Sequence, residues 1–384
     1  MKKIVFLTGT RADFGKLKSL IRITQSSSCF DVHIFATGMH INSKYGKTVD
    51  EIYKSGFKNI YQFINHDIVE HMDRTLAKTI DGFSKYISEI EPDLIVVHGD
   101  RVEAMAGAIV GSLNNVLVAH IEGGEISGTV DELIRHAVSK LSHVHFVANE
   151  EARRRLIQLG ENQNSIFVIG SPDLDLMNPE KLTNIDDVKR YYDLEFDSYA
   201  IAMFHPVTTE YRMIREHVKN FVDALLESKK KYIVIYPNND LGSMEILEEY
   251  RRLEGNSSFR IFSSIRFEYF LSLLMYADFI IGNSSAGIRE AHYYDVPAVD
   301  IGTRQMNRAK LPSIFHSSYE KIDILNSISL AIKYSGHGCS AANMSGRFGD
   351  GNSDKMFFEI LNTDNLWNIK HQKQFMELGS NEQI

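Results

Sequence analysis

Two short apolar runs that end in acidic turns decide the fold: residues 94–101 (LIVVHGDR) and residues 116–125 (VLVAHIEGGE). Each run is brief, apolar and rich in β-branched residues, which is typical of a strand buried on both faces of a parallel sheet. Ligands of such open α/β sheets bind just beyond the carboxyl ends of the strands. We therefore expect Asp100 and Glu122 to line a binding site, with Asp131 on the segment just after.

Three carboxylates in one site favour acid–base chemistry, because their surroundings can push their proton affinities apart. Each carboxylate also has a structural alternative. Asp100 can pair with Arg101 or cap a helix. Glu122 can be a loop acid, and Asp131 can cap a predicted helix over residues 132–141. All three acids nevertheless follow strand ends beside a Gly-Gly pair, and this coincidence favours an enzyme site.

Strands and helices alternate along both halves of the chain. The predicted strands are 4–7, 32–36, 94–97, 116–119, 144–147 and 166–169 in the first half, and 199–204, 232–236, 260–263, 279–281 and 298–301 in the second. This alternation implies βαβ units and predicts an α/β protein with two Rossmann-like domains, each built on a doubly wound parallel sheet.

The domain limits follow from the polar segments. Residues 178–197 lack a strand-like core and are predicted to connect a first domain, residues 1–175, to a second, residues 198–355. The polar tail 370–384 is predicted to fray. Two such domains that face each other form a cleft, which is a common place for a small-molecule site.

Composition narrows the class of protein. The 384 residues are enough for two domains, and 43% hydrophobic and 24% charged residues are typical of a globular chain. A formal charge of -8 argues against a nucleic-acid partner. Cys29 and Cys339 are too few for a disulfide framework or a structural zinc site. The first apolar run stops at Thr8, and no run reaches the roughly 20 residues of a membrane span, so we expect a cytoplasmic protein without a membrane partner.

A second set of signals points to a phosphorylated ligand. Residues 280–287 (IIGNSSAG) follow a strand and begin a predicted helix, whose N–H groups can bind a diphosphate together with the hydroxyls of Ser284 and Ser285. Glu290, in the first turns of that helix, can accept hydrogen bonds from a ribose. A simple helix cap by one of the serines is the structural alternative.

Basic and amide side chains follow other strands in the same way. Arg11 and Arg304 can each offer a forked pair of donors to a phosphate, and a surface salt bridge is the alternative for Arg11. His205 and Asn238 end consecutive strands, where each is either a phosphate donor or a structural residue. Neither a Walker A pattern nor a G-x-G-x-x-G turn occurs, which argues against kinase and dehydrogenase chemistry.

Taken together, these segments resemble the UDP-N-acetylglucosamine 2-epimerases, in particular the hydrolysing branch that feeds sialic acid biosynthesis. The resemblance covers about residues 3–352, and its specificity lies in the order and spacing of the motifs. The motifs are 8–13 (TGTRAD), 98–101 (HGDR), 120–131 (HIEGGEISGTVD), 135–136 (RH), 205–209 (HPVTT), 282–285 (GNSS), 302–305 (GTRQ) and 349–352 (GDGN).

The resemblance implies a GT-B-like fold, with the nucleotide mainly on the second domain and a last helix, about residues 356–370, that completes the first. It also implies a reaction without metal or NAD, and a homodimer or homotetramer. The matching catalytic positions are Asp100, Glu122, Asp131 and His205, and the matching nucleotide-binding positions are Arg11, Arg101, Asn238, Ser284, Ser285, Glu290 and Arg304. Around the site, His136 is interpreted as a supporting residue, His143 as structural and Glu125 as a further acid.

The implied reaction is anti elimination of UDP from UDP-N-acetylglucosamine to a 2-acetamidoglucal, followed by syn addition of water to give N-acetylmannosamine. Loss of UDP leaves positive charge on the anomeric carbon, and a carboxylate must take the proton from carbon 2. We assign this proton transfer to Asp100 and Asp131, and the handling of water or of the developing charge to Glu122.

Three alternatives stay open from the sequence. The same chemistry can act on a GDP- or UDP-linked 2,4-diacetamido-2,4,6-trideoxyglucose, since the pocket for the base is not visible in the sequence. A glycosyltransferase would share the fold, but it needs an acceptor site and not the acids of residues 120–131. A sugar-nucleotide-binding sensor would bind UDP without turnover, and the intact carboxylates argue against it.

Overall fold

The computed structural model describes residues 1–42, 47–65, 71–127, 130–306, 311–334, 349 and 351–377. The chain divides into two compact units. The first unit combines residues 1–125 and 131–178 with the C-terminal segment, and the second consists mainly of residues 179–334. Within the described ranges, no helix has both the length and the apolar character needed to cross a membrane.

The first unit is built on a parallel sheet. Its strands are β1 (Lys2–Thr8), β2 (Phe30–Ala36), β3 (Ile60–Gln62), β4 (Leu94–His98), β5 (Leu117–Ile121), β6 (Val144–Val147) and β7 (Ile166–Val168). Its helices are α1 (Arg11–Gln25), α2 (Val49–Lys54), α3 (Met72–Ile90), α4 (Val102–Leu113), α5 (Val130–Leu141), α6 (Glu150–Gln158) and α7 (Asp173–Met177). The strand order is β3-β2-β1-β4-β5-β6-β7. The sequence order therefore runs outward from β1 on one side and from β4 on the other, as in a doubly wound sheet.

The second unit repeats this plan. Its strands are β8 (Ala200–Met203), β9 (Tyr232–Ile235), β10 (Phe259–Phe262), β11 (Ile280–Gly282), β12 (Ala298–Ile301) and β13 (Ile314–Ser317). Its helices are α8 (Ile185–Tyr191), α9 (Ile214–Glu227), α10 (Ser243–Tyr250), α11 (Phe267–Met275), α12 (Glu290–Tyr293) and α13 (Lys321–Lys333). The order β10-β9-β8-β11-β12-β13 again reverses between the first strand of the unit and the fourth. The predicted α/β class with two parallel sheets is confirmed.

The two opening runs form the centre of the first sheet, as predicted. Strand β4 pairs in parallel with β1 on one side and with β5 on the other, and all five residues of β5 are buried. Burial on both faces of the sheet is the reason for their continuous apolar composition. Both strands end at the same edge of the sheet, which places the two acidic turns side by side.

Two helices after the second unit return to the first, α14 (Ser353–Leu361) and α15 (Asp364–Trp367). The ring of Phe357 lies 6.3 Å from that of Phe6 and 4.8 Å from that of Phe146, between centroids. These aromatic contacts place α14 in the core beneath the first sheet.

The segment 178–197 is more than the connection predicted from its composition. It contains α8 and belongs to the second unit from Pro179 onward. Val188, Leu194 and Phe196 are buried there. These apolar residues stand singly among charged ones, so the segment shows no continuous apolar run.

The described part of the tail, residues 370–377, is docked on the first unit, so the prediction that it frays is wrong there. The ammonium group of Lys373 forms an ion pair with Glu161. It also donates to three backbone oxygens at the end of α5, those of Ser139, Lys140 and Ser142. Such oxygens lack partners within a helix, and a cation stabilises them. Residues 378–384 lie outside the described residues, as does Cys339.

Candidate active site

The three predicted catalytic carboxylates belong to one electrostatic cluster at the carboxyl edge of the first sheet. Asp100, just after β4, forms an ion pair with Arg135 of α5. Arg135 is only 2% exposed and also donates to the backbone oxygen of Glu125 at 3.2 Å. Burial disfavours the guanidinium charge, but the surrounding carboxylates outweigh it and raise the pKa of Arg135. These carboxylates are, from the largest effect to the smallest, Asp100, Glu125, Asp131 and Glu122.

Helix α5 brings Asp131 and Arg135 to the same side, because residues four apart lie one turn from each other. Asp131 lies within the first turn of the helix, where the macrodipole favours a negative charge. It therefore does not occupy the cap position that was its structural alternative. Residues 128 and 129, which precede this helix, lie outside the described residues.

Glu122 is an interior acid held by its backbone and by its carboxylate. Its φ of +63° is left-handed, which is uncommon for a residue other than glycine, and its N–H donates to the oxygen of Phe146 at 2.9 Å. One carboxylate oxygen accepts from the hydroxyl of Ser171, and the other lies 3.8 Å from Nζ of Lys16. Glu122 lies in the turn after β5, as the loop-acid alternative has it, but only 4% of the residue is exposed.

His98 bridges Glu122 and Asp13. Its Nδ1 lies 2.9 Å from Oδ1 of Asp13, and its Nε2 lies 3.1 Å from Oε2 of Glu122. Burial opposes the imidazolium charge, but the hydrogen bonds to the two carboxylates outweigh it and raise the pKa of His98 to about 9. The sequence prediction assigned no role to His98 or Asp13, although both lie in motifs that carry the resemblance.

A second buried histidine fixes the turn before Asp100. The Nε2 of His120 donates to the backbone oxygen of Gly99 at 2.8 Å, and its Nδ1 lies 3.0 Å from the hydroxyl of Ser139 on α5. Burial lowers the pKa of His120 to about 3, so the ring is neutral. His120 thus ties the acidic turn after β4 to the helix that supplies Arg135.

The two arginines predicted to bind the nucleotide in this unit lie next to carboxylates. Arg11 begins α1, and its guanidinium lies 3.9 Å from Glu51, so the salt-bridge alternative is present in the structure. Arg101 precedes α4, and its Nε donates to Glu103 at 3.3 Å. Both stand at the carboxyl edge of the sheet, because each follows the end of a strand.

Two further histidines, His136 in α5 and His143 just before β6, differ in their contacts. His136 lies 3.6 Å from Glu132, one turn away on the same helix. His143 accepts from the N–H of Val118 through Nδ1 and donates through Nε2 to the oxygen of His371. The contacts of His143 join β5 to the tail, so this side chain serves the fold.

At the carboxyl edge of the second sheet, His205 is held by neutral groups. It follows β8, and its Nδ1 accepts from the N–H of Asn238 at 3.0 Å, so Nε2 carries the proton of the neutral ring. The side chain of Asn283 accepts from the N–H of His205 at 2.6 Å and donates to its oxygen at 2.8 Å. Asn283 entered the sequence prediction only as a letter of a motif, yet it holds His205 in place.

The serine turn after β11 takes a different form from the predicted helix. Ser284 caps the short 3-10 turn Ser285–Gly287, and its hydroxyl accepts from the N–H of Ala286 at 3.3 Å. The capping alternative is therefore realised for Ser284. Helix α12 begins only at Glu290, which is buried. Two short turns replace one long helix.

Asn283 also binds Arg304, the third arginine predicted to contact the nucleotide. Its backbone oxygen accepts from Nη1 of Arg304 at 3.1 Å and from Nε2 of Gln305 at 3.0 Å. The structure thus brings Arg304, Ser284 and His205 together around Asn283, whereas the acids of the first unit form their own cluster.

In the described part of the chain, no three His, Cys, Asp or Glu residues are arranged to hold a metal ion.

Comparison with known proteins identifies the family of this chain. The sequence profile of the family described as UDP-N-acetylglucosamine 2-epimerase matches residues 22–362. The chain is 47% identical to the UDP-N-acetylglucosamine 2-epimerase of Neisseria meningitidis serogroup B over 99% of this chain and 100% of that protein. It is 34% identical to the UDP-N,N'-diacetylbacillosamine 2-epimerase (hydrolyzing) of Legionella pneumophila, over 94% and 96% of the two chains.

A solved structure confirms the predicted GT-B-like class of fold. The UDP-GlcNAc 2-epimerase of Methanocaldococcus jannaschii, solved in complex with UDP-GlcNAc and UDP, superposes with a TM-score of 0.79 at 22% identity, over 94% of this chain and 99% of that one. At this identity the likeness concerns the fold alone, whereas the sequence relatives concern the family. On the strength of its sequence, this chain belongs to the UDP-N-acetylglucosamine 2-epimerase family.

Proposed function

We propose that the protein is a hydrolysing UDP-N-acetylglucosamine 2-epimerase, which converts UDP-N-acetylglucosamine and water to N-acetylmannosamine and UDP. The observation that carries this proposal is the cluster of Asp100, Glu122 and Asp131 around Arg135. The reaction needs acids and bases at carbon 2 and negative charge near the anomeric carbon, and such a cluster supplies both.

In the first step, a carboxylate takes the proton from carbon 2 while the bond from the anomeric carbon to UDP breaks. The electron pair of that bond leaves with UDP, and a double bond forms between carbons 1 and 2. In the second step, water adds at carbon 1, and carbon 2 receives a proton on the same face as the water, which is opposite the face that lost its proton in the first step. We assign the proton transfers to Asp100 and Asp131, and the water or the developing positive charge to Glu122.

The second unit supplies the groups that suit a diphosphate. The Nε2–H of His205 and the guanidinium of Arg304 are donors, and both residues contact Asn283. Ser284 and Ser285 add hydroxyls at the same turn, and we assign the ribose to Glu290. We also assign Asn238, Arg11 and Arg101 to the binding of the nucleotide sugar.

A proton NMR time course with UDP-N-acetylglucosamine in deuterated water tests this function. We expect free UDP and N-acetylmannosamine deuterated at carbon 2, because the proton lost from that carbon is replaced from the solvent. UDP-N-acetylmannosamine in place of free UDP would contradict the hydrolysing course. Unchanged substrate would contradict the choice of sugar nucleotide.

The name of a relative favours a second substrate class. The Legionella protein at 34% identity is named for UDP-N,N'-diacetylbacillosamine and carries the word hydrolyzing. The 47% identity to a UDP-N-acetylglucosamine 2-epimerase favours the simpler sugar. Parallel assays with UDP- and GDP-linked 2,4-diacetamido-2,4,6-trideoxyglucose separate the two proposals by their relative kcat/KM.

We also propose the setting in which this reaction takes place. The product N-acetylmannosamine suits a cytoplasmic route to sialic acid and to surface polysaccharide, as the resemblance to the hydrolysing branch implies.

We propose a homodimer or homotetramer as the working form. Light scattering of the purified protein measures the assembly directly, and a monomer at working concentration would contradict it.

A further inference from the structure

Acidic and basic side chains alternate through the interior of the first unit. In order of contact they are Asp13, His98, Glu122, Lys16 and Asp173. The successive distances between nitrogen and oxygen atoms are 2.9, 3.1, 3.8 and 2.9 Å, and the side chains are between 2% and 13% exposed. Little solvent screens these groups, so the protonation of each one affects its neighbours strongly.

The position of one proton in this series of side chains follows from hydrogen-bond chemistry. Both ring nitrogens of His98 face carboxylate oxygens, one on Asp13 and one on Glu122. A neutral imidazole carries a single N–H, and an ionised carboxylate can only accept. Two hydrogen bonds therefore need one more proton, either on the imidazole or on one of the carboxyl groups.

The other partners of the carboxyl groups place that proton on the imidazole. Asp13 accepts from the backbone N–H of Gly9 at 3.0 Å through the oxygen that does not face the imidazole. Glu122 accepts from the hydroxyl of Ser171 and lies 3.8 Å from the ammonium group of Lys16. Each carboxyl group thus accepts from a further donor besides the imidazole, and a carboxylate that serves only as acceptor suits both contacts.

Other titratable groups near this series of side chains do not offset the positive charge on the imidazole of His98. The charged groups joined to His98 directly or through these contacts are Asp13 and Lys16 of α1, Glu122 after β5 and Asp173 of α7. His120 of β5 interacts with the charge of His98 as well. His120 is neutral, because burial lowers its pKa to about 3. Arg135 is paired with Asp100. The two carboxylates in direct contact therefore dominate the protonation of His98.

We propose that His98 is a positioning residue for Glu122: held as an imidazolium between Asp13 and Glu122, it keeps Glu122 ionised and oriented. Glu122 then acts as a fixed negative charge opposite the sugar cation and does not donate a proton, which leaves proton transfer to the other acids. This inference rests on the proposed function for the role of Glu122. The protonation of His98 is a property of the free protein and can be measured without substrate.

NMR of protein labelled with carbon-13 at the histidine rings tests the protonation directly. We expect one ring signal that is missing in His98→Gln and that stays in the imidazolium form to about pH 8, with a midpoint near 9. In Asp13→Asn the midpoint should fall by about one pH unit or more, because the negative partner is gone. A wild-type midpoint at the ordinary value near 6.5, or no change in Asp13→Asn, would overturn the proposal.

A second His–Asp pair in the same unit provides the matched control. The Nε2 of His33 lies 3.0 Å from Oδ2 of Asp31 on β2, at nearly the same distance as the pair formed by His98 and Asp13. Asp31→Asn removes an equivalent carboxylate elsewhere in the sheet. We expect it to leave the His98 signal unchanged, which separates a local effect from a general loss of fold.

Kinetics with the nucleotide sugar then test the consequence for catalysis. We expect kcat of the wild type to fall as the pH rises through about 9, because a neutral His98 ring has a single N–H and can no longer donate to both carboxylates. In Asp13→Asn this fall should move to lower pH by the same interval as the NMR midpoint, with KM within about twofold. An equal loss of kcat at every pH would overturn the positioning role. A lack of turnover in the wild type would refute the proposed function instead, and the NMR result would still decide the state of His98.

Discussion

The carboxyl edges of the two sheets have the same topology but differ in the chemistry of the side chains that stand there. Both sheets have a strand order that reverses at the same relative position, and both place candidate residues just beyond the strands. The first edge carries buried charges of both signs, such as Asp100 with Arg135 and Glu122 with His98. The second edge is organised by a neutral amide, Asn283.

This difference teaches that one architecture supports two tasks. Buried charged groups have proton affinities set by their neighbours, which suits proton transfer. Donors whose protonation does not change, such as the neutral ring of His205 and the guanidinium of Arg304, offer fixed hydrogen bonds to an anion, which suits binding. The comparison therefore predicts that damage to the first edge lowers turnover, and that damage to the second edge lowers nucleotide affinity.

The largest expected effect comes from Asp100→Asn. Removal of a group that transfers a proton should lower kcat by about a thousandfold or more, while the Kd for UDP stays within about twofold. Turnover assays together with calorimetric titration of UDP measure both quantities. A thermal melt is the control, since Arg135 loses its partner. Normal turnover in Asp100→Asn would show that Asp100 takes no part in the mechanism and would contradict the proposed difference between the two edges.

Next in size is the steric effect of Gly282→Ala on the second edge. Gly282 has a φ of +136°, and a Cβ there would overlap the backbone oxygen of Met203 on β8. We expect a loss of about 2–4 kcal/mol in the free energy of unfolding. Gly255→Ala is the matched control, because Gly255 also has a positive φ but no neighbour within 4 Å. Equal losses in both variants would mean that the backbone conformation alone matters and that close strand contact does not.

Glu290→Ala tests the binding task of the second edge. Loss of hydrogen bonds from a ribose to a buried carboxylate should raise the Kd for UDP by about tenfold to a hundredfold. Glu248→Ala is the control, since Glu248 forms an ion pair with Arg215 on the surface of the same unit. Calorimetric titration of UDP measures both variants. An unchanged Kd in Glu290→Ala would refute the ribose assignment.

The smallest expected effect concerns the tail that supports the first edge. Lys373→Met removes the donor to the last backbone oxygens of α5, the helix that carries Arg135 and Asp131. We expect a loss of about 1–2 kcal/mol in the free energy of unfolding. Lys370→Met, in the exposed part of the tail, is the control. Denaturant unfolding compares them, and equal stability of the two variants would show that the docked tail does not stabilise α5.

Much of the fold was visible in the sequence, because its signals are local. Continuous apolar runs predicted the central strands β4 and β5, and their ends predicted where Asp100 and Glu122 lie. Strands β3 (IYQ) and β13 (IFHS) were not predicted, since each lies at an edge of its sheet and ends in polar residues. An edge strand has one neighbour, so it needs less apolar sequence.

The partners of the site residues were not visible in the sequence. The contact between His98 and Asp13 spans 85 positions, and the contact between Asp100 and Arg135 spans 35. Asn283 and Lys373 likewise act on groups far away in the chain. No periodicity or capping rule links residues over such distances, so the motifs indicated that these side chains matter without indicating what they touch.

The sequence by itself determined which residues stand at the ends of the strands, because hydrophobic patterning and turn chemistry act over a few neighbouring residues. Only the tertiary structure decided which charges meet inside the first unit. Burial removes the water that would otherwise screen them, so proton affinity depends on contacts that folding alone creates. The identity of Glu122 as an acid was therefore readable in the chain, whereas its ionised state depends on the side chains that folding packs around it.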